Sequence, residues 1–205
     1  MMHLVARMKV MLLVVATSAT AQNTPAARKG PRPQAAASTR ATVSVLLDGR
    51  MIGTNWLPAG VNLAGPATIS IDYGQPHLRG RALDGNDILK SPYDSVWRLG
   101  ANLATQLQTD VDLLLGGSQI ARGRYSLFLR TGSEPRLIVS RQTGQWGTEY
   151  DSRLDLVRIP LTLHTTTESL ESFTIWLVPA AAGAEGTFRM AWGHSEWTAP
   201  WKVIF

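Results

Sequence analysis

The sequence predicts an all-β domain, an antiparallel β-sandwich or jelly-roll-like barrel of about 8–10 short strands with little helix. Three observations lead there. Apolar residues alternate with polar ones at period two through most of the chain beyond residue 41. Gly, Pro and Asp-Gly signals punctuate those runs, and no window of helical length carries a 3.6-residue apolar stripe.

The first residues read as a signal peptide over 1–21. Arg7 and Lys9 supply a basic start, Val10 to Ala16 a short apolar stretch, and Ala19-Thr20-Ala21 a cleavage site. The apolar stretch is too short to span a bilayer, so no transmembrane anchor is expected. Residues 22–40, rich in Pro, Ala and basic side chains without a large apolar one, read as a disordered tether. One sandwich domain is then expected over 41–205. An exported protein, periplasmic or secreted, follows from the leader. With no cysteine in the chain, its fold must rest on a hydrophobic core rather than on disulfides.

The high isoelectric point belongs to the ends of the chain. Of 20 Lys and Arg residues, six precede residue 41, leaving 14 against 15 Asp and Glu in the domain, a net charge of −1. That balance argues against a nucleic-acid partner, which would want positive charge on the folded body.

Val43, Val45 and Leu47 alternate up to the Asp48-Gly49 turn, and Trp56 to Pro66 reads as irregular. Ile69, Ile71 and Tyr73 share one face of a strand that Gly74 is expected to end. The connection from there to Val96 is long, and long connections in compact domains often carry function. Leu107, Thr109, Val111 and Leu113 then read as one strand. Tyr125, Leu127 and Leu129 alternate with Ser126 and Phe128, so that strand is expected to be covered on both faces. Arg136 to Ser140 follows as a short strand, and Gln142 to Asp151 as a polar loop. Val157, Ile159, Leu161 and Leu163 form one alternating set, with Pro160 pointing to an edge or bulge. Phe173, Ile175 and Leu177, then Phe188, Met190 and Trp192, and finally Trp201, Val203 and Phe205 complete the pattern.

Four blocks carry a resemblance. They are Ile69 to Arg81, Pro92-Tyr-Asp-Ser-Val-Trp-Arg-Leu-Gly-Ala-Asn-Leu-Ala-Thr105, Gly123-Arg-Tyr-Ser-Leu-Phe128, and Gln145-Trp-Gly147. In this order they resemble the bacterial family catalogued as domain of unknown function 2911. The resemblance implies an exported protein and no established reaction. Leu99 stands where the family usually has Thr, Leu103 where it often has a polar residue, Asp94 for a frequent Gly, and Arg122 in place of Ala. The two leucines remove possible polar contacts to a ligand.

The candidate ligand-binding residues come from these blocks. Trp97, Arg98, Asn102 and Thr105 could clamp a carboxylate or phosphate through Arg98, though a buried network satisfying irregular backbone is the reading put first for them. Arg79 and Arg81, flanking Gly80, could gather an anion, or stand as solvated turn charges. Tyr73, Tyr125 and Gln145 could supply hydrogen bonds, and Trp146 a stacking platform for a sugar ring or a plug for the end of the core. No cofactor is expected. His77, His164 and His194 lack metal-ligand spacing, so no metal site is expected either. There is no nucleophile elbow and no cysteine for covalent catalysis. The reading that results is a non-catalytic, exported module for a glycan or an anionic small molecule. A hydrolase or lyase using a Trp97/Arg98/Asn102 cleft, and a structural envelope domain, remain as alternatives.

Overall fold

The computed structural model describes residues 34–61, 63–83 and 96–204. The stretch read as a signal peptide, most of the stretch read as a tether, residues 84–95 of the long connection, and Phe205 lie outside the described residues. The described residues from Ala35 onward pack as one unit.

Two antiparallel sheets face each other across one apolar core, as period two demands. The first sheet takes β1 (Ser38–Leu46), β4 (Thr68–Pro76), β6 (Thr105–Thr109), β9 (Gly123–Arg130), β10 (Arg136–Ser140) and β11 (Asp155–Pro160) in that spatial order. A short β5 (Val96–Trp97) also pairs with β9. The second sheet runs β12 (Thr162–Pro179), β13 (Glu185–Ile204), β7 (Asp112–Leu115) and β8 (Ser118–Ile120). Ile71, Leu107, Leu127, Leu137 and Ile159 from the first sheet meet Leu113, Phe173, Met190, Trp192 and Trp201 from the second in one cluster.

Several boundaries differ from the sequence reading. β1 begins at Ser38, inside the stretch read as tether, because Ser38, Thr39 and Arg40 pair with Pro76, Gln75 and Gly74. Gly74 does not end β4, which runs on to Pro76. A hairpin, β2 (Gly49–Ile52) with β3 (Asn55–Pro58), follows the Asp48-Gly49 turn, and its second strand runs into the start of the stretch read as irregular, taking Trp56 to Pro58 from it. The run from Leu107 to Leu113 is two strands in two sheets. Between them the Thr109 hydroxyl donates to the Val111 carbonyl at 2.7 Å and accepts the Val111 N–H at 3.2 Å. The Asp110 carboxylate meanwhile accepts the Thr68 N–H and the Arg50 guanidinium, each at 3.0 Å. Side chains supply the hydrogen bonds that the broken ladder loses, so the chain crosses sheets while keeping its alternation.

The same happens at Pro160, which closes the edge strand β11 before β12 opens the other sheet. Within β12, Thr165 faces Ser195 and Leu170 faces Gly193, so surplus residues of β12 bulge outward there.

β9 is covered on both faces, as its sequence suggests. Leu127 and Leu129 face the main core, while Phe128 joins Ala104 and Ile138 in a second, outer cluster roofed by Val96 and Tyr150.

Candidate functional site

The segment from Trp97 to Thr105 is an excursion from a strand. β5 places Val96 and Trp97 opposite Arg130 and Leu129, and β6 resumes with Thr105 opposite Leu127. Residues 98–104 therefore loop out opposite Phe128 alone. Leu99 and Asn102 have φ of 51° and 64°, a left-handed conformation tolerated by Asn and strained for Leu. Burial of the Leu99 side chain in the main core offsets that strain.

Hydrogen bonds staple the excursion on three sides. The Thr105 hydroxyl, itself buried, donates to the Leu99 carbonyl at 2.6 Å. The Ala101 N–H donates to the Gly74 carbonyl at 3.0 Å, and the Gly147 N–H to the Asn102 carbonyl at 2.9 Å. Ala104 N–H reaches the Gln145 carbonyl at 3.2 Å, and Leu103 bridges Trp146. Two glycines permit this approach. A Cβ on Gly74 would stand 1.9 Å from the Ala101 oxygen, and one on Gly147 would stand 2.5 Å from Arg98 Cδ.

The remaining candidate residues divide by face. Tyr73 lies in the core, where its hydroxyl accepts the Ile175 N–H at 3.1 Å and its ring meets Phe173 edge-on at 5.7 Å. Burial, the largest influence, raises its pKa above the ordinary value, and the Ile175 bond opposes that rise. Trp97 stacks on Trp192 at 5.6 Å and meets Phe173 at 5.1 Å, joining the sheets. Tyr125 packs against the core and donates to the Ala121 carbonyl at 2.8 Å. Across the sheet from these, the Gln145 carboxamide donates to the Ser126 hydroxyl at 3.0 Å, and Asn102 reaches the Ser38 hydroxyl at 3.3 Å. The sheet itself thus separates Tyr73 and Tyr125 from Asn102 and Gln145. Arg79 turns away to the carbonyls of Ala35 and Ala36. Trp146 stays 47% exposed.

A cleft of about 890 Å³ opens elsewhere, between the end of β9, the β12 bulge, β13 and the loop after β4. Arg81 is the one residue of the sequence-based set in its wall. Its Nε donates to the Leu78 carbonyl at 2.9 Å and its Nη2 to the His77 carbonyl at 2.7 Å, so backbone fixes the guanidinium. Glu171 lines the cleft with its Oε1 taking the Arg79 N–H at 2.7 Å. His194, also in the wall, places Nδ1 3.0 Å from the Thr166 carbonyl. A carbonyl only accepts, so Nδ1 carries the hydrogen and neutral His194 keeps its lone pair on Nε2. Leu78, Leu83, Leu129, Leu163 and Trp197 supply the apolar wall.

The sequence reading missed His194, Glu171 and Leu163 as lining residues. Leu163 was expected on the core face, yet it is 48% exposed, because Leu161 closes the core and β12 diverges beyond it. The polar run Thr165-Thr-Thr-Glu-Ser169 breaks the alternation there and was the available signal.

Among the described residues, no three His, Asp or Glu side chains gather to hold a metal ion. No described helix is long and apolar enough to cross a membrane. No curated protein and no solved structure matches the chain. A family model described as a protein of unknown function (DUF2911) matches residues 59–200, which hold the excursion, its staples and the cleft wall, and the chain belongs to that family.

Proposed function

We propose that this is an exported, non-catalytic ligand-binding module, periplasmic or secreted, whose site is the cleft beside Arg81 and His194. The observation that supports it is a guanidinium fixed by two backbone carbonyls in a concave wall that joins five large apolar side chains to a few polar ones, Glu171 and His194 among them. Binding pockets combine apolar area with a few oriented polar groups in this way. The guanidinium favours a carboxylate or phosphate. Nε2 of His194 offers an acceptor to a hydroxyl or amide of the same ligand, and the leucines and Trp197 take its apolar body. A small organic anion fits this set better than a sugar chain, which would leave the leucines uncovered.

Thermal-shift and calorimetric titration with medium-chain fatty acids, aromatic carboxylates and sugar phosphates tests the reading. Saturable binding is expected for one class, with Arg81→Ala weakening it roughly tenfold or more, the scale of one lost charge-assisted hydrogen bond. Leu163→Trp, which fills the cleft from its exposed edge, is expected to block it. Absence of binding across the panel, or binding that both variants retain, would overturn the assignment.

A further inference from the structure

We propose a second binding site, for a neutral polysaccharide chain, on the open half of the outer face of the first sheet, with Trp146 at its rim. It lies on the face turned away from the core, goes beyond the cleft reading and does not depend on it.

Register places the side chains. Thr42, Asp72, Gln106 and Ser126 form one row across β1, β4, β6 and β9. Ser44, Ser70, Gln108 and Arg124 form the next outward-facing row. The apolar part of this face, around Phe128 and Ile138, is roofed by Tyr150 and Val96, whereas these two rows are polar and, apart from the buried Ser126 beneath the two carboxamides, partly or wholly exposed. A sheet face that buries apolar residues on one half and exposes amides and hydroxyls on the other is built for two different neighbours.

The polar groups are arranged in advance of any ligand. Gln106 Nε2 donates to the Ser126 hydroxyl at 2.8 Å, and Gln145 Nε2 donates to the same oxygen at 3.0 Å, so one hydroxyl orients two carboxamides. Asp72 pairs with Arg40 and accepts the Thr42 hydroxyl at 2.9 Å, so its charge is cancelled in place. Arg124, at the β9 end of the second row, is the one formal charge left on these rows; the other groups are donors and acceptors with little field, which suit hydroxyls better than phosphates or carboxylates. The strand separation of about 4.8 Å repeats these groups along one direction, as a polymer requires.

Trp146 supplies the apolar counterpart. It neighbours Gln145, its loop is held by the Leu103 bridge and by Gly147 N–H on the Asn102 carbonyl, and it remains 47% exposed. A rigidly held, half-exposed indole is a platform for the C–H face of a pyranose. Its place beside the polar rows gives a sugar both of the surfaces it presents, apolar and hydroxylated.

Affinity electrophoresis of the full chain in gels containing mixed-linkage β-glucan, xylan, galactomannan or, as the anionic arm, alginate tests this. Retardation by a neutral polymer is expected. Trp146→Ala and Gln108→Ala should each weaken it, the first by about tenfold or more, the scale of a lost aromatic contact with its buried area. Trp146→Phe should retain most of the retardation, and Arg81→Ala all of it. Matching thermal unfolding of Trp146→Ala and wild type guards against a folding artefact. No retardation by the neutral polymers, retardation unchanged in Trp146→Ala, loss in Arg81→Ala, or retardation by alginate alone that salt abolishes would each overturn the proposal.

Discussion

Gly74→Ala tests whether the signature excursion is held as the geometry implies. The added methyl would sit 1.9 Å from the Ala101 oxygen, against an ordinary contact of 3.4 Å or more, so the excursion must retreat by about 1.5 Å. That movement stretches the 3.0 Å bond from the Ala101 N–H to the Gly74 carbonyl beyond hydrogen-bonding range. Both residues are buried, so each orphaned group costs about 1–3 kcal/mol, and the retreat also pulls Leu99 from the main core. A total loss of about 3–5 kcal/mol follows, a large share of a typical domain's 5–15 kcal/mol. Urea unfolding followed by tryptophan fluorescence reads it, with Gly60→Ala as the control, since nothing lies within 4 Å of a Cβ there. A loss below about 1 kcal/mol in Gly74→Ala, or an equal loss in the control, would refute the staple.

Thr105→Val keeps the shape but removes the 2.6 Å bond to the Leu99 carbonyl, and should lower stability by about 1–3 kcal/mol in the same assay. Trp97→Ala opens a cavity between Trp192 and Phe173 and should cost about 3 kcal/mol, with loss of the near-ultraviolet circular dichroism from the stacked indoles. Asp151 is held down at about 2, first by the Arg153 side chain and then by the Arg153 N–H. Its folded value lies below its ordinary one, so its contribution is present above about pH 4 and fades toward pH 2; Asp151→Asn should flatten that limb of the stability curve. Tyr150 is pushed up to about 12, by burial first and then by its bond to Asp155. The folded state holds this proton more tightly, so stability should fall between about pH 10 and 12, and Tyr150→Phe should remove the fall. Phenolate absorbance in alkaline titration locates the group.

Alternation alone determined that the chain is a sandwich and which residues face its core: Ile69, Ile71 and Tyr73, Leu127 and Leu129, Phe173 and Ile175 all lie where period two puts them. The double coverage of β9 was legible too, because Phe128 interrupts the polar side of an otherwise one-sided strand. The motif Trp97 to Thr105 was legible as special, but its meaning was open between a ligand clamp and a buried network. Tertiary structure decided how its parts are held. Thr105, Ala101 and Asn102 bond to Leu99, to Gly74 and to Gly147, partners up to 45 residues away that no local pattern can nominate.

The cleft was hidden for the same reason. Arg81, Glu171 and His194 come from three separate stretches, and only the sheet packing and the β12 bulge bring them to one wall. Side-chain alternation is a property of neighbouring residues along one strand, so sequence reveals it. A concave site depends on where strands from distant parts of the chain diverge, and that is settled only when the two sheets pack.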